Sequence, residues 1–283
     1  MIKKIAMCIG WLLFLGILGA CWMFTRNVEA SGVGDLKILN LQSETDADCT
    51  ILFQEDVAVM IDAGTEADSQ YILETLEMYG IEKLDYLILT HGDLDHIGAV
   101  EHIAEQIEIE NVIQSGYEEA GEELLYLNDC FKKHHIPVSY PARTVRINVG
   151  QMQLVVYPPL EKHYNDNDNY SLVVLVTHKK VNMLFTGDAI RKRSEELLLV
   201  HWPEIDYYKV PNHGRANSMS ETLFNKMSPV YAVITSDTAD QIVIDAADKN
   251  STELFYTGKG DCLFVSDGNK ILPMDVFGEK GGK

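Results

Sequence analysis

Residues 84–98 constrain the fold more than any other part of this 283-residue sequence. Residues 84–90 read LDYLILT, an apolar run typical of a strand that is buried within a sheet. Four side chains able to bind metal follow it within six residues, in the motif His91-Gly92-Asp93-Leu94-Asp95-His96. Imidazole nitrogens and carboxylate oxygens both bind divalent cations of the zinc and manganese type. We therefore expect a metal site at the end of a buried strand.

Short apolar runs alternate with helical periodicity along residues 31–283. The runs predict strands at 36–41, 50–54, 57–61, 84–90, 137–140, 144–149, 153–157, 171–177, 181–186, 207–210, 230–235, 254–256, 261–266 and 270–272. Apolar positions three and four residues apart predict helices at 67–79, 97–106, 118–134, 191–201 and 220–227. Strands come first and are then mixed with helices, which favours a sandwich of two sheets with helices outside.

The N-terminal segment is a separate unit. Residues 5–24 form an uncharged apolar run, long enough to cross a bilayer as a helix. Lys3 and Lys4 precede the run and Arg26 follows it, so the positive-inside rule places Met1 in the cytoplasm and the rest of the chain outside. We divide the chain into a signal anchor or signal peptide at 1–24, a linker at 25–34 and one folded domain at 35–283.

Three interpretations of the apolar run stay open. An uncleaved signal anchor is favoured because the run exceeds the ~7–15 residues of a typical signal-peptide core. A signal peptide cut after Val28-Glu29-Ala30 is the second, and a lipoprotein is the third, because Leu18-Gly19-Ala20-Cys21 resembles a bacterial lipobox. All three place the folded domain outside a bacterial-type cell membrane, as an anchored, secreted or lipid-modified protein.

Composition excludes several classes of protein. The chain has 23 Lys and Arg against 43 Asp and Glu, a formal net charge of −20, and 46% of its residues are apolar. The apolar share excludes a disordered chain. The charge argues against a protein whose whole surface coats nucleic acid or anionic lipid. The five cysteines contain no CxxC pair and indicate no disulfide framework.

Two further fragments place metal-capable side chains after predicted strands. The first is Leu184-Phe185-Thr186-Gly187-Asp188, and the second is Lys209-Val210-Pro211-Asn212-His213-Gly214. Each is a weak signal by itself, because a strand-end aspartate often caps a helix and a single histidine often lies in the core or on the surface. Combined with the first motif, and in this order along the chain, they form a strong signal.

The three fragments together resemble the metallo-β-lactamase fold superfamily and, within it, the soluble domain of ComEC-type competence proteins. The resemblance covers nearly all of residues 35–272 and implies a four-layer αβ/βα sandwich of the α/β (α+β) class. Its HxDxDHxG form points to the ComEC-like branch. Further matching positions are Asp62 as the early aspartate, Asp188 as the metal-bridging aspartate of TGD, Asn169 and Ser171 at the start of an SLV strand, and His213, Gly214 and Ser218 in the HHGSxxS segment.

The sequence departs from the superfamily pattern in three ways. Asp93 stands where the superfamily has its second metal-binding histidine, and residues 165–171 offer Asp166, Asp168 and Asn169 where a third motif supplies a histidine. Both departures are shared with the ComEC-like branch. Asn212 and Arg215 replace the first histidine and the serine of HHGS. This last change is specific to the present chain and leaves its substrate contacts open.

The resemblance implies two metal ions. One site is complete with Asp95, His96, Asp188 and His213, and we assign catalysis to Asp95 and Asp188. The other has His91, Asp93 and the shared Asp188, with a fourth position open or filled from residues 165–171, where Asp168, Asn169 and Ser171 are candidates. Carboxylate in place of imidazole hardens this site, so we expect Mn²⁺ or Mg²⁺ as well as Zn²⁺.

Three residues and one basic segment outside the ligand set carry expectations of their own. Asp62 is expected to orient a ligand histidine, although it also fits a strand-end turn. Arg215, like Ser218, is a candidate for substrate contact, and Arg215 equally fits a solvated surface residue. Residues 191–193, Arg-Lys-Arg, are the best local basic patch and could reach a phosphate chain.

The expected function is that of a membrane-anchored or exported metal-dependent hydrolase. The resemblance implies a phosphodiesterase or nuclease that uses two metal ions to activate hydroxide, with a phosphodiester or DNA as substrate. Two alternatives stay open. One is a cell-envelope phosphoesterase acting, for example, on phosphocholine-decorated teichoic acid, which suits the acidic charge better. The other is a non-catalytic metal-binding module at the membrane.

Overall fold

A computed structural model describes residues 34–116 and 122–274 of the chain. Within these residues the strands are β1 (Leu36–Asn40), β2 (Thr50–Gln54), β3 (Val57–Ile61), β4 (Lys83–Leu84), β5 (Tyr86–Leu89), β6 (Glu108–Ile109), β7 (Val112–Gln114), β8 (Val138–Ser139), β9 (Val145–Val149), β10 (Met152–Tyr157), β11 (Val173–His178), β12 (Val181–Phe185), β13 (Tyr207–Lys209), β14 (Tyr231–Ile234), β15 (Glu253–Tyr256), β16 (Cys262–Ser266) and β17 (Ile271–Met274). The α-helices are α1 (Ser69–Met78), α2 (Leu94–Ile97), α3 (Val100–Gln106), α4 (Glu122–Lys133), α5 (Arg191–Leu199), α6 (Ser220–Met227) and α7 (Gln241–Asn250).

The strands form two large sheets and a short pair. The first sheet has the order β17-β16-β1-β2-β3-β5-β7-β8, and the second has the order β15-β14-β13-β12-β11-β10-β9, while β4 pairs with β6. Each large sheet is antiparallel at one end and parallel at the other: β3, β5, β7 and β8 run parallel in the first, and β12 to β15 in the second. The loops that follow parallel strands therefore gather at one edge of each sheet.

Side-chain alternation builds the core between the two sheets. In β12, Met183 and Phe185 belong to the cluster between the sheets, whereas Leu184 faces the opposite way. In β5, Ile88 faces the other sheet and Leu87 faces outward. This period of two follows from the pleat of a strand, and both faces of these central strands are buried.

Helices cover both outer faces. Ile72 of α1, Val100 of α3 and Phe131 of α4 pack against the outer face of the first sheet. Leu197 of α5, Leu223 of α6 and Val243 of α7 pack against the outer face of the second. The prediction of a two-sheet sandwich with helices outside is confirmed, and the four layers agree with the αβ/βα sandwich that the resemblance implies.

Several predicted elements differ in extent. The predicted strand at 84–90 is interrupted, because the Asp85 carboxylate accepts a hydrogen bond from the Ala58 amide (2.9 Å) at the break between β4 and β5. The predicted helix at 97–106 is divided into α2 and α3. Helix α7 was not predicted: its buried face consists of Val243, Ala246 and Ala247, and small alanines give a weak periodic signal.

The N-terminal predictions lie outside the described residues. This applies to the apolar run at 5–24 and to the linker at 25–34 except for its last residue, Gly34. The start of the predicted helix at 118–134 also lies outside them. In the parts of the chain that the structure describes, no helix has both the length and the apolar character needed to cross a membrane.

Candidate metal centre

The first motif folds tightly at the end of β5. Asp93 has an extended backbone (φ −76°, ψ 144°) and its carbonyl accepts the amide hydrogen of His96 at 2.9 Å, which starts α2. This turn brings the rings of His91 and His96 to a centroid separation of 4.1 Å. Gly98 completes the motif, because a Cβ at this position would lie 2.4 Å from the Glu66 amide nitrogen.

Three buried histidines present the same atom to the centre. His91 Nδ1 lies 3.1 Å from Thr90 Oγ1, His96 Nδ1 lies 2.8 Å from Asp62 Oδ2, and His213 Nδ1 lies 3.0 Å from Thr235 Oγ1. The Nε2 atom of each ring is buried and has no hydrogen-bond partner. Rings held through Nδ1 with an unpartnered Nε2 are typical of histidines that bind metal.

Asp62 supports two of these rings. It has a left-handed backbone (φ 57°), accepts hydrogen bonds from the Thr90 amide and hydroxyl at 2.7 Å each, and also faces His96. Because the Thr90 hydroxyl donates to Asp62, its oxygen is left to accept the Nδ1 proton of His91. A strained backbone at a buried aspartate is common at functional sites.

Asp188 lies between two of the histidines. Its Oδ1 is 3.5 Å from His96 Nε2 and its Oδ2 is 3.0 Å from His213 Nε2. Asp95 Oδ2 lies 3.3 Å from the same His213 nitrogen. These contacts bring together Asp95, His96, Asp188 and His213, the four residues expected to form one metal site.

A second group of ligand atoms lies beside the first. His91, Asp93 and Asp168 offer one ligand atom each, and these atoms lie within 4.8 Å of one another. Asp93 Oδ2 is 3.8 Å from His91 Nε2. Asp168 belongs to a short 3₁₀ turn, Asn167–Tyr170, between β10 and β11. The group has one imidazole and two carboxylates, a donor set that suits Mn²⁺ or Mg²⁺ better than an all-histidine site does.

Asp48 is a residue of the centre that sequence reasoning missed. Together with His96, Asp188 and His213 it forms a buried group whose ligand-capable atoms lie within 4.8 Å of one another. Its Oδ1 lies 3.3 Å from His213 Nδ1, and its Oδ2 pairs with Lys209 Nζ. Asp48 approaches Nδ1 of His213 at 3.3 Å and Nδ1 of His96 at 3.7 Å, rather than their Nε2 atoms, so we interpret Asp48 as holding these two rings. Only its position just before the buried strand β2 hinted at this role.

Lys209 is a buried cation beneath the centre. Its side chain is 3% exposed, and Nζ lies 3.2 Å from the Gly187 carbonyl oxygen and 3.5 Å from Asp188 Oδ1. Burial by itself would lower the pKa of Lys209, but the charges of Asp48 and Asp188 outweigh it and raise the pKa. The lysine is therefore charged at neutral pH and neutralises part of the carboxylate charge.

The charges of the centre shift several pKa values. Burial raises the pKa of Asp168 to about 7, and the carboxylates of Asp188, Asp166 and Asp93 act in the same direction. Burial opposes the charged form of Asp188, but His96, His213 and Lys209 hold its pKa well below the ordinary value. Burial likewise disfavours protonated His213, yet Asp188 and Asp48 raise its pKa to about 12.

The residues present fit divalent cations. Three buried Nε2 atoms face an excess of carboxylates, and a bound cation would take the place of the protons that His96 and His213 carry, since carboxylates raise the pKa of both rings. His96, Asp188, His213 and Asp95 would hold one ion, and His91, Asp93, Asp168 and Asp188 would hold the other. The donor atoms alone do not fix the identity of the metal.

The remaining predicted residues lie around this centre. Ser171 is buried, and its hydroxyl accepts the Asp188 amide hydrogen at 3.1 Å, while Asn169 Oδ1 accepts the Arg193 amide hydrogen at 3.0 Å. Arg215 is exposed and pairs with Asp46, and Ser218 is exposed on the loop after His213. Asn169 and Ser171 therefore support the loop and Asp188, whereas Arg215 and Ser218 face solvent.

The predicted basic patch at 191–193 is wrong for its third member. Arg193 is 2% exposed and its guanidinium is hydrogen-bonded inside the protein. Lys192 is exposed and pairs with Glu195 at 2.9 Å. Helical spacing turns Arg193 toward the core while its neighbour faces solvent, so the three side chains do not form one surface.

Comparisons with known proteins agree with this geometry. The chain is 28% identical over 217 residues to ComE operon protein 3 of Bacillus subtilis (strain 168), a match that covers 73% of this chain and 27% of that protein. It is 27% identical over 188 residues to Competence protein ComA of Neisseria gonorrhoeae, covering 64% of this chain and 24% of that protein. The chain thus spans about a quarter of the length of these relatives.

A solved structure and a family model also agree with this fold. The metallo-beta-lactamase fold protein YhfI from Bacillus subtilis superimposes with a TM-score of 0.58 at 12% identity, covering 82% of this chain and 100% of that chain. At this identity the match supports the fold alone. The model of the metallo-beta-lactamase superfamily matches residues 44–236, more than half of the sequence. The chain belongs to the metallo-beta-lactamase superfamily.

Proposed function

We propose that the chain is a phosphodiesterase that depends on two divalent cations. The observation that carries this proposal is the convergence of the buried Nε2 atoms of His96 and His213 on Asp188, beside a second group in which His91 faces the carboxylates of Asp93 and Asp168. Two adjacent divalent cations suit phosphoryl chemistry, because they can clamp a phosphoryl group and lower the pKa of a water molecule toward ~7. Two relatives carry the names Competence protein ComA and Recombination protein 2, and recombination acts on DNA.

The chain's own residues have distinct roles in this proposal. Asp188 holds both halves of the centre together, and Asp62 and Thr90 keep the rings of His96 and His91 in a fixed orientation. Asp95 is 34% exposed and lies beside His213 Nε2, so it is placed to face both a cation and the substrate. Arg215 and Ser218, exposed on the loop after His213, are proposed substrate contacts.

The proposal is tested on the purified folded domain with Mn²⁺, Mg²⁺ or Zn²⁺. The substrates are bis-p-nitrophenyl phosphate, single-stranded DNA and double-stranded DNA. We expect hydrolysis of at least one of them with at least one metal, and a loss of at least ~100-fold in Asp188→Ala, since removing a metal ligand is at least as severe as changing its support. Asp129→Ala is the matched control, because Asp129 is 77% exposed on α4.

Two results would contradict the proposal. Absence of hydrolysis with every metal and substrate would exclude the phosphodiesterase, and activity unchanged in Asp188→Ala would exclude the assigned centre. Hydrolysis by Asp129→Ala should equal that of the unchanged protein. A general defect in that control would show that any loss reflects folding rather than the metal centre.

A small phosphoester with a cationic group is the second candidate substrate. The observation that favours it is the acidic surroundings of the centre: Asp166 lies close enough to raise the pKa of Asp168, and Asp46 already pairs with Arg215. Such a rim attracts a choline-like cation and repels a long polyanion. Faster hydrolysis of p-nitrophenyl phosphorylcholine than of bis-p-nitrophenyl phosphate would favour this candidate over a nuclease.

We propose in addition that residues 35–283 work outside a cell membrane. The apolar run at 5–24 and its flanking lysines support an anchor or a cleaved signal. Expression of the full chain in a bacterium with a periplasmic or cell-surface protease accessibility assay tests this. Protection of the folded domain from external protease would contradict it.

A further inference from the structure

The loop between β10 and β11 supplies Asp168 to the candidate metal centre. We call residues 158–171 the Asp168 loop. Asp168 differs from the other ligands of the centre, because it lies in a 3₁₀ turn in the middle of a long connection rather than at the end of a strand. Holding a connection of this length in one conformation costs roughly 1–2 kcal/mol per residue in backbone entropy. Contacts from elsewhere in the fold must offset that cost.

Arg193 contacts both ends of the Asp168 loop from helix α5. Its Nη2 donates to the carbonyl oxygen of Tyr157, the last residue of β10, at 2.5 Å. Its Nε donates to the carbonyl oxygen of Ser171 at 2.9 Å, and its backbone amide donates to Asn169 Oδ1 at 3.0 Å. Asn169 is adjacent to Asp168, so the third contact fixes the turn itself.

Glu196 contacts the first half of the same loop. Its Oε2 accepts a hydrogen bond from Arg193 Nη1 at 2.7 Å and another from the Leu160 amide at 3.1 Å. Its Oε1 accepts the hydroxyl hydrogen of Tyr164. The side chains of Arg193 and Glu196 are 2% and 9% exposed. Their opposite charges therefore pair inside the protein and contribute little to the charge of its surface.

We propose that Arg193 and Glu196 form a clamp that positions Asp168 for the second metal ion. The ligand atoms of Asp168, Asp93 and His91 lie within 4.8 Å of one another, and the clamp keeps the Asp168 carboxylate at that distance. The inference rests on the proposed two-metal centre. Arg193 is a positioning residue: its polar contacts reach the loop and Glu196, and it belongs to neither ligand group.

The test compares two charge-neutral double variants on one helix. Arg193→Met with Glu196→Gln removes the clamp, and replacing a buried ion pair as a whole is often nearly neutral for stability. Lys192→Met with Glu195→Gln is the matched control, with a similar change in an exposed pair at 2.9 Å. Metal content is measured by mass spectrometry, Mn²⁺ affinity by calorimetry, and coupling between two Mn²⁺ ions by electron paramagnetic resonance.

We expect the unchanged protein and the control to bind two ions that show magnetic coupling. The clamp variant should bind one ion with unchanged affinity and the second at least ~10-fold more weakly, the range found for residues that orient ligands. Tyr164→Phe removes the hydroxyl that donates to Glu196 and accepts the Glu161 amide hydrogen, so it should weaken the second ion and leave the affinity of the first ion unchanged. This variant decides the question if the double variant fails to fold.

Each outcome bears on a different claim. Two coupled ions of unchanged affinity in the clamp variant, or in Tyr164→Phe if the clamp variant does not fold, would overturn the clamp alone. Equal weakening of both ions would also overturn it, because a purely structural role predicts a general loss. An unchanged protein that binds no metal would overturn the proposed function and the clamp with it.

Discussion

Replacing Lys209 by methionine tests the charge balance beneath the metal centre. Lys209 is a buried cation whose Nζ pairs with Asp48 and lies 3.5 Å from Asp188 Oδ1. Methionine keeps most of the side-chain volume and removes the charge. We expect two opposite effects: the metal-free protein becomes less stable, and the metal ions bind more tightly.

The magnitudes follow from the contacts. Removing one partner of a buried ion pair costs about 3–5 kcal/mol, because the other charge is left buried and unpaired. One unit charge acting on another at the 3.5 Å separation from Asp188 is worth about 5 kcal/mol at an effective dielectric constant of ~20. That second contribution disappears when a cation neutralises Asp188. Any loss of stability that affects only the metal-free state widens the free-energy gap between the metal-free and metal-bound protein, so the metal binds more tightly. We expect the metal affinity to rise at least ~10-fold, which corresponds to about 1.4 kcal/mol.

The measurement is urea unfolding in excess chelator and in saturating Mn²⁺, together with calorimetric titration of the metal. Lys249→Met is the matched control, since Lys249 is 64% exposed and pairs with Glu221 at 3.4 Å. The control should change neither the free energy of unfolding nor the affinity. Weaker metal binding in Lys209→Met, or an unchanged stability of its metal-free form, would refute the electrostatic reasoning.

Three further predictions concern the metal ions, the motif glycine and a buried histidine. When the metal is present at about 100 times its Kd, adding a chelator should lower the melting temperature by at least about 5 °C for each filled site, as measured by calorimetry. An unchanged melting temperature would argue against bound metal. Gly98→Ala should destabilise the fold by about 1–3 kcal/mol or more in urea unfolding, because the new Cβ would lie 2.6 Å from the Leu94 carbonyl oxygen. Helix propensity alone predicts a gain in stability of about 1 kcal/mol instead, so a stabilised variant would contradict the steric argument. Burial and the charge of Lys179 lower the pKa of His178 below 6.5, so the contribution of neutral His178 to stability is complete above pH 6.5 and is lost as pH falls through the lowered pKa. The variant His178→Gln should therefore make the free energy of unfolding less sensitive to acid. An identical pH profile of unfolding in the variant and the unchanged protein would contradict this.

The layers of the fold were predictable because strand and helix periods are local properties. Alternation in β12 and the apolar run at 84–90 identified buried strands, and helical spacing identified α1 and α6 nearly in full. Helix α7 was not predicted, because alanines form much of its buried face and give a weak periodic pattern. The break at Asp85 escaped because it depends on a hydrogen bond to Ala58, a partner distant in sequence.

The candidate centre was predictable where its residues are neighbours along the chain or, as for Asp62, Asp188 and His213, where they match a motif of the family that the sequence resembles. The close spacing of four metal-capable residues in one motif was enough to predict them, and the structure brings them together: His91, Asp93, Asp95 and His96. The roles of Asp48 and Lys209 arise from a contact between distant segments of the chain, which no local pattern encodes. Arg193 misled the sequence reasoning for the same reason, because a basic triplet does not show which member faces the core.

The two halves of the centre differ in how the fold supports them. His96 and His213 are held through Nδ1 by Asp62 and Thr235, side chains that directly follow β3 and β14. Sheet hydrogen bonds fix these positions, so this half is formed before any cation arrives. Asp168 instead depends on a loop whose contacts come from helix α5. Because interactions outside the ligand set control metal affinity, we infer that the second half is the weaker one and determines whether both ions are present.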